Sequence, residues 1–310
     1  MLPYLLRRLA FAVVLVITVS SAALLLVEAA PGDAFDTFDV NPTIAAAERH
    51  RLGLDRPVLT RYGSWLSRAV RLDLGESVKY RRSVRELVIE RASMTALLGG
   101  TALLLATLIG IPAGIFTGSS RNAATAIVRV LSLTCVSIPP LVTSFVLLLF
   151  AARTGWLPVG GSIARGASFM ASLESLIIPA LALALPIAAM LERLQSQAMR
   201  EALAEPSMQA ARARGCSRTR VIWGHALRLS LKPVLAVYGV IVGSVLSGSF
   251  AVEIVTSWPG LGALMYDGLV SRDLYLVAGC AAAGSIFLAA GILLSDVALA
   301  AADPRLETLT

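Results

Sequence analysis

Four arginines, Arg212, Arg214, Arg218 and Arg220, crowd around Gly215 in the stretch ARARGCSRTR of a 310-residue chain that is 56% hydrophobic. A guanidinium stays charged at neutral pH and presents a planar fork of donors to carboxylates, phosphates or carbonyls. The cluster is therefore a recognition surface, and the rest of the chain offers no catalytic partner for it. His50 and His225 are far apart, and Cys135, Cys216 and Cys280 are single, with neither metal spacing nor a disulfide framework. A serine hydrolase in a membrane would need a base beside its serine, and neither histidine falls within an apolar run. A P-loop needs Gly followed by Lys, whereas Lys79 follows Val78 and Lys232 follows Leu231, and there is no other lysine. No cofactor or metal is implied. If this chain drives uphill transport, the energy must arrive from a partner.

The elements that position the cluster follow from composition. With 15% charged residues and a mean hydropathy of +0.76, the chain belongs in a bilayer. Hydrocarbon offers no partners for bare backbone, and the apolar runs are about 20 residues long, so helices span it. The net charge of +7 is nearly all arginine, but no basic stripe interleaved with aromatics exists outside the membrane context, so nucleic acid is excluded. Leu9 to Val27 follows Arg7 and Arg8. It resembles a secretory signal with a cleavage site at Val27-Glu28-Ala29, but its length predicts a retained first span. Further runs at Met94 to Phe116, Val130 to Ala152, Ser175 to Leu191, Pro233 to Val252 and Leu274 to Ser295 complete an all-α, six-span protein. The interiors of these runs contain no ionisable side chain. Glu28, Glu192, Glu253 and Asp296 fall at their ends, where an interfacial role is the default.

Residues 196–232 carry seven basic side chains against two acids, which places this loop between spans 4 and 5 in the cytoplasm, with both termini on the same side. Residues 30–91 then lie outside. They hold 11 basic residues against 9 acids, with Arg81, Arg82, Arg85 and Arg91 near the second span, but loops this long largely escape the positive-inside rule. Pro31-Gly32-Asp33 and Asn41-Pro42 read as turns, and Pro57 to Val70 has helical spacing. Small residues four apart, Gly110, Gly114 and Gly118, then Gly239, Gly243 and Ser247, predict close helix packing. Pro112, Pro139, Pro140, Pro179 and Pro186 predict bends.

Within the basic loop, Glu205 precedes a proline, so the extended fourth helix should end near Ala204. Pro206 suits the first position of a new helix. PSMQAARAR predicts a short helix of roughly 13 Å. Gly215 fits a left-handed stop, and Arg212 and Arg214 suit the negative end of the helix dipole. Ser217 is a natural cap for a second helix on which Arg218, His225, Arg228 and Lys232 share one face and Ile222, Ala226 and Leu229 another. On charge alone the plainer reading is favoured: basic loops fix orientation and rest on anionic lipid headgroups.

The pattern Glu201-Ala202, then AARARG ending at Gly215, then HALRLSLKPV from His225, resembles the EAA loop of binding-protein-dependent ABC importer permeases. APGD at 30–33, LGLDRPVLTRYGSWL at 52–66, DLGES at 73–77, SWPGLG at 257–262 and ADPR at 302–305 resemble the peptide and nickel branch, in order along nearly the whole chain. The resemblance implies a single type I importer permease domain in a prokaryotic inner membrane. It also implies a second homologous permease, two ATP-binding subunits and an extracytoplasmic solute-binding protein as partners. It further implies that Glu201, Ala202, Ser207, Met208, Gln209, Ala210, Ala211, Arg212, Arg214 and Gly215 dock the ATP-hydrolysing subunit. The family usually has an acid and an aromatic where this chain has Pro206 and Ser207, and an asparagine at Leu229. In SWPGLG, Trp258 suits the membrane interface and Leu261 to Val270 a short interfacial helix; a packed loop fits equally well. The implied cargo is small peptides or related solutes, with nickel chelates or glutathione in the same family. A stand-alone secondary transporter is the alternative outside it.

Overall fold

A computed structural model describes residues 2–29, 35, 42–158 and 169–302. APGD and the turns at 31–33 and 41 lie outside the described residues, as does all of ADPR beyond Ala302 and the side chain of Asp296. Among the described residues the regular structure is helical, with one isolated antiparallel bridge between Glu76 and Ser83. The helices are α1 (Leu2–Ala29), α2 (Pro42–Leu52), α3 (Val58–Ala69), α4 (Val84–Ser119), α5 (Ala123–Ser137), α6 (Pro140–Thr154), α7 (Phe169–Ala204), α8 (Pro206–Ala213), α9 (Arg218–Thr256), α10 (Leu261–Val270) and α11 (Leu274–Ala302). Five of them, α1, α4, α7, α9 and α11, contain stretches long and apolar enough to cross a membrane, and α5 with α6 makes a sixth if the pair is one bent span.

That pair breaks at Pro139 and Pro140, where a bend was expected in the third span. Ile138 is extended at φ −96°, ψ 119°, as the residue before a proline prefers, and Pro139 follows at ψ 147°. The two helices meet at 107°. Two prolines in succession remove two backbone donors, and Pro140 restarts the helix at its first position. Pro112, Pro179 and Pro186 remain inside continuous helices.

The chain divides into two compact units, one from Leu97–Trp258 and Ala290–Thr310, the other from Leu2–Ala96 and Pro259–Ala289. In the first, α7 is central and packs against α5, α6 and α9. Its buried face includes Ile178, Leu183, Leu191 and Met199. The predicted glycine stripe on α4 is where α7 approaches most closely. A Cβ on Gly110 would lie 2.5 Å from the Ala188 carbonyl oxygen, one on Gly114 2.7 Å from that of Glu192, and one on Gly118 2.7 Å from that of Ser196.

Two carboxylates expected at span ends lie inside this unit. Glu192 is 2% exposed and Glu253 is fully buried, because α7 and α9 continue beyond the apolar runs and their ends are packed by neighbours. Trp258 is also fully buried, as the packed-loop reading of this stretch expects. The left-handed Ser257 (φ 56°) turns the chain so that the Trp258 N–H donates to the Glu253 carbonyl at 2.9 Å.

In the second unit, the DLGES segment is fastened to the start of α11. The Ser77 hydroxyl donates to Asp273 Oδ2 at 2.6 Å, and the Lys79 backbone N–H reaches the same oxygen at 3.2 Å. Asp273 Oδ1 accepts from the Leu276 N–H at 3.3 Å, capping α11. On α10, Asp267 accepts from Lys79 Nζ at 2.7 Å and from the Tyr80 hydroxyl at 2.6 Å. Burial pushes the Asp273 carboxyl up, only partly offset by the Ser77 and backbone donors. Burial and the Asp267 contact push Tyr80 up to about 12.

Asp273→Ala is expected to cost about 2 kcal/mol or more, because it leaves the buried Ser77 hydroxyl without its acceptor and α11 without its cap. Asp273→Asn keeps an acceptor oxygen and should cost less. A raised folded-state pKa means that this group's stabilisation is complete below its unfolded pKa and fades as pH rises through the folded value. The gap between wild type and Asp273→Asn should therefore narrow across that window, read as unfolding midpoints in detergent at several pH values.

Candidate functional site

The loop between α7 and α9 folds as its local chemistry dictates. Glu205, at φ −57° and ψ 140°, breaks the chain out of α7, and Pro206 opens α8 at its first turn without needing a donor. After Ala213 the chain closes in a Schellman turn. The Gly215 N–H donates to the Arg212 carbonyl at 2.9 Å and the Cys216 N–H to the Ala211 carbonyl at 3.1 Å, with Gly215 left-handed at φ +81°. Ser217 then accepts from the Arg220 N–H at 3.4 Å and starts α9.

The ten residues expected to meet a partner divide by burial. Ala202, Met208 and Ala211 face inward at 5%, 4% and 3% exposure. With Ile115 of α4, Met199 of α7 and Val221 and Ala226 of α9, they form one apolar cluster, joined by Cys216 and Ile222 at its edge. Glu201, Ser207, Gln209, Ala210, Arg212, Arg214 and Gly215 are exposed. The Glu201 carboxylate accepts from the Gln197 side-chain amide one turn back at 3.0 Å. The short helix is thus keyed into the neighbouring ends of three long helices and presents a polar, arginine-bearing outer face.

The arginines also divide. Arg218 donates to the Ser119 carbonyl at 2.9 Å, so it caps the end of α4, where the helix dipole favours a cation. Arg212, Arg214 and Arg220 are exposed. Spacing had put all four in one group, and nothing local in the sequence signals which of them reaches a helix end 99 residues earlier.

The second helix differs from the regular one expected. Val221–Ala226 is a π-helical segment. The wider turn puts Val221 and Ala226, five residues apart, on the buried face, and Ser230 and Val234 follow at four-residue steps. An uninterrupted 3.6-residue period would have set Leu229 with Ile222 and Ala226. The extra residue turns Leu229 outward to 41% exposure. Gly224 lies in this segment with only the Arg220 side chain near it, at 3.8 Å.

Above the loop lies a polar layer that sequence reading missed. The buried Thr117 hydroxyl donates to Glu192, and Arg129 donates to the Thr117 carbonyl oxygen. The Gln195 amide donates to Ser230 Oγ at 2.8 Å, joining α7 to α9 just beyond the π turn. The one available signal was Glu192, Gln195 and Ser196 recurring at helical spacing beside the glycine stripe.

The site thus holds a helix seated in a packed socket with a charged outer face. The described residues contain no group of three or more His, Cys, Asp or Glu side chains placed to hold a metal.

Comparison with known proteins gives two family matches. Residues 110–308 match the family described as binding-protein-dependent transport system inner membrane component. Residues 1–98 match the N-terminal part of a binding-protein-dependent transport system membrane component. The oligopeptide transport system permease protein AppB of Bacillus subtilis is 30% identical, over 99% of this chain and 100% of that protein. The di/tripeptide transport system permease protein DppB of Pseudomonas aeruginosa is 30% identical over 99% of both chains. The glutathione transport system permease protein GsiC of Escherichia coli is 32% identical over 88% of both.

Proposed function

This chain belongs to the binding-protein-dependent transport system inner membrane components, and from that premise we propose that it carries small peptides or related solutes inward in an ATP-driven importer. The observation that carries the reading is the seated helix α8. Its inner face is locked to α4, α7 and α9, and its outer face is free to meet a motor. The chain has no phosphate-binding loop of its own, so hydrolysis is assigned to a separate subunit. Two such ATPases would close beneath this chain and a homologous second permease, and rock the spans between outward-facing and inward-facing states. An external binding protein would deliver the solute.

Oligopeptides, di- and tripeptides and glutathione, the cargoes in the relatives' names, share a peptide backbone. That supports the peptide class here, with a single permease domain over residues 1–310. The same reading puts both termini and the 196–232 loop in the cytoplasm and the 30–91 segment outside. It assigns the outer-face contacts of α8 to Glu201, Ser207, Gln209, Ala210, Arg212, Arg214 and Gly215, with Ala202, Met208 and Ala211 acting from beneath. Proteoliposomes of the complete complex should accumulate labelled di- or tripeptide only with ATP inside the cytoplasmic compartment and binding protein on the other side. Uptake by this chain alone on an ion gradient would instead identify a secondary transporter.

Cys216 reports topology in a background where Cys135 and Cys280 are serine. An impermeant maleimide should label it in inverted vesicles stripped of ATPase, and added ATPase subunit should slow labelling severalfold. Labelling only from right-side-out cells would reverse the orientation.

A further inference from the structure

Thr117 joins two side chains of opposite charge at the inner end of the helix bundle. Its hydroxyl donates to the carboxylate of Glu192 on α7, and its carbonyl oxygen accepts from the guanidinium of Arg129 on α5. Thr117 is fully buried and Glu192 is 2% exposed. The Arg129 Nε–H is buried too, with no acceptor of its own. A lone carboxylate or guanidinium within a spanning bundle is costly, and an opposite charge on the same hydrogen-bonded residue offsets much of that cost. Only one residue, Thr117, separates the two.

The location gives this bridge its consequence. Gly114, one turn before Thr117, and Gly118, the residue after it, bring α4 so close to α7 that a Cβ on them would lie 2.7 Å from the Glu192 and Ser196 carbonyl oxygens respectively. Ile115 on α4, and Met199 two turns beyond Glu192 on α7, belong to the apolar cluster that seats α8. Arg218, at the start of α9, holds the Ser119 carbonyl two residues after Thr117. The charged bridge therefore lies directly beyond the socket, where any displacement of α8 must enter the long helices.

We propose that Glu192 is a positioning residue for energy coupling: bridged to Arg129 through Thr117, it binds the inner ends of α4, α5 and α7 into one body, so that motion of the seated α8 reaches the spans together. Were the three helix ends free to slide past one another, the same push would be absorbed locally. The inference rests on the transport reading given above.

The test is a double-mutant cycle in the reconstituted complex, read as solute moved per ATP hydrolysed. Glu192→Gln and Arg129→Gln should each lower that ratio about tenfold, because the first leaves a half-buried guanidinium, and the second a buried carboxylate, without its opposite charge. The double variant should recover to within about threefold of wild type, since both charges leave together. Losses that simply multiply in the double variant, or singles that match wild type, would overturn the bridge. If a glutamine variant does not assemble, Thr117→Val and Thr117→Ser replace it. Valine should reproduce the loss, and serine, which keeps the hydroxyl, should restore the ratio; equal behaviour of the two would overturn the proposal. A wild-type complex that takes up nothing with ATP would refute the transport reading and this inference with it, whereas a transporting wild type matched by the single variants would refute the inference alone.

Discussion

Gly114→Leu is expected to remove folded protein almost entirely, and even Gly114→Ala should cost about 1–3 kcal/mol, the usual penalty for overpacking. A single added carbon would sit 2.6 Å from the Gln195 Cβ and 2.7 Å from the Glu192 carbonyl oxygen, neither of which is the far end of a flexible side chain. Relief would require α4 and α7 to separate along a seam where Gly110 and Gly118 meet backbone at similarly short range. The matched control is Gly100 on the same helix, which has no atom within 4 Å of an added Cβ. Gly100→Ala should be neutral or stabilise by up to about 1 kcal/mol through helix propensity. Yield of monodisperse protein and the unfolding midpoint in detergent read both. Equal tolerance at the two positions would refute the close seam.

The second large effect is expected at Gly215, and there it should appear in coupling more than in stability. The residue is left-handed at φ +81° with open space around it, so a side chain meets no neighbour and the penalty is the backbone conformation alone. That is about 1–2 kcal/mol for an L-residue, and a β-branched one fares worst. At about 1.4 kcal/mol per factor of ten, Gly215→Val would lower the equilibrium constant for forming the Schellman turn roughly tenfold. Since Cys216 and Val221 enter the socket just after this turn, α8 would lose its fixed angle to α9. ATP hydrolysis by the complex should continue while solute uptake falls, by up to about tenfold, the full weakening of the turn. Gly215→Asn, which tolerates the left-handed region, should retain most of the uptake. Full coupling in the valine variant would take the turn out of the mechanism.

Much of the site was legible because its punctuation is local. Glu205 before Pro206 ends α7 at Ala204, Gly215 stops α8, Ser217 starts α9, and Pro57 and Val70 bound α3. Each depends on the backbone preferences of one or two residues, and these act wherever the chain lies. The glycine stripe was legible for the same reason, since a residue without a Cβ permits close approach to whatever neighbour arrives.

What stayed hidden depends on neighbours distant in sequence. Arg218 and Arg220 are alike on paper and both exposed, yet Arg218 bonds the end of α4. Trp258 has the chemistry of an interface residue and is fully buried. Glu192 stood at the edge of an apolar run, where water would be the default partner, until α4 supplied Thr117. The π segment in α9 turns Leu229 away from its periodic partners, and its stabilisation comes from the socket that receives Val221 and Ala226 together.

Apolar run length and helix punctuation were enough to specify an all-helical membrane protein with a jointed basic loop, because each is a property of short stretches in a known solvent. Which faces of that loop are seated, how sharply α5 turns into α6, and which buried charges answer one another came from packing. Those outcomes depend on pairs of surfaces, and a surface acquires its partner only once the chain has folded.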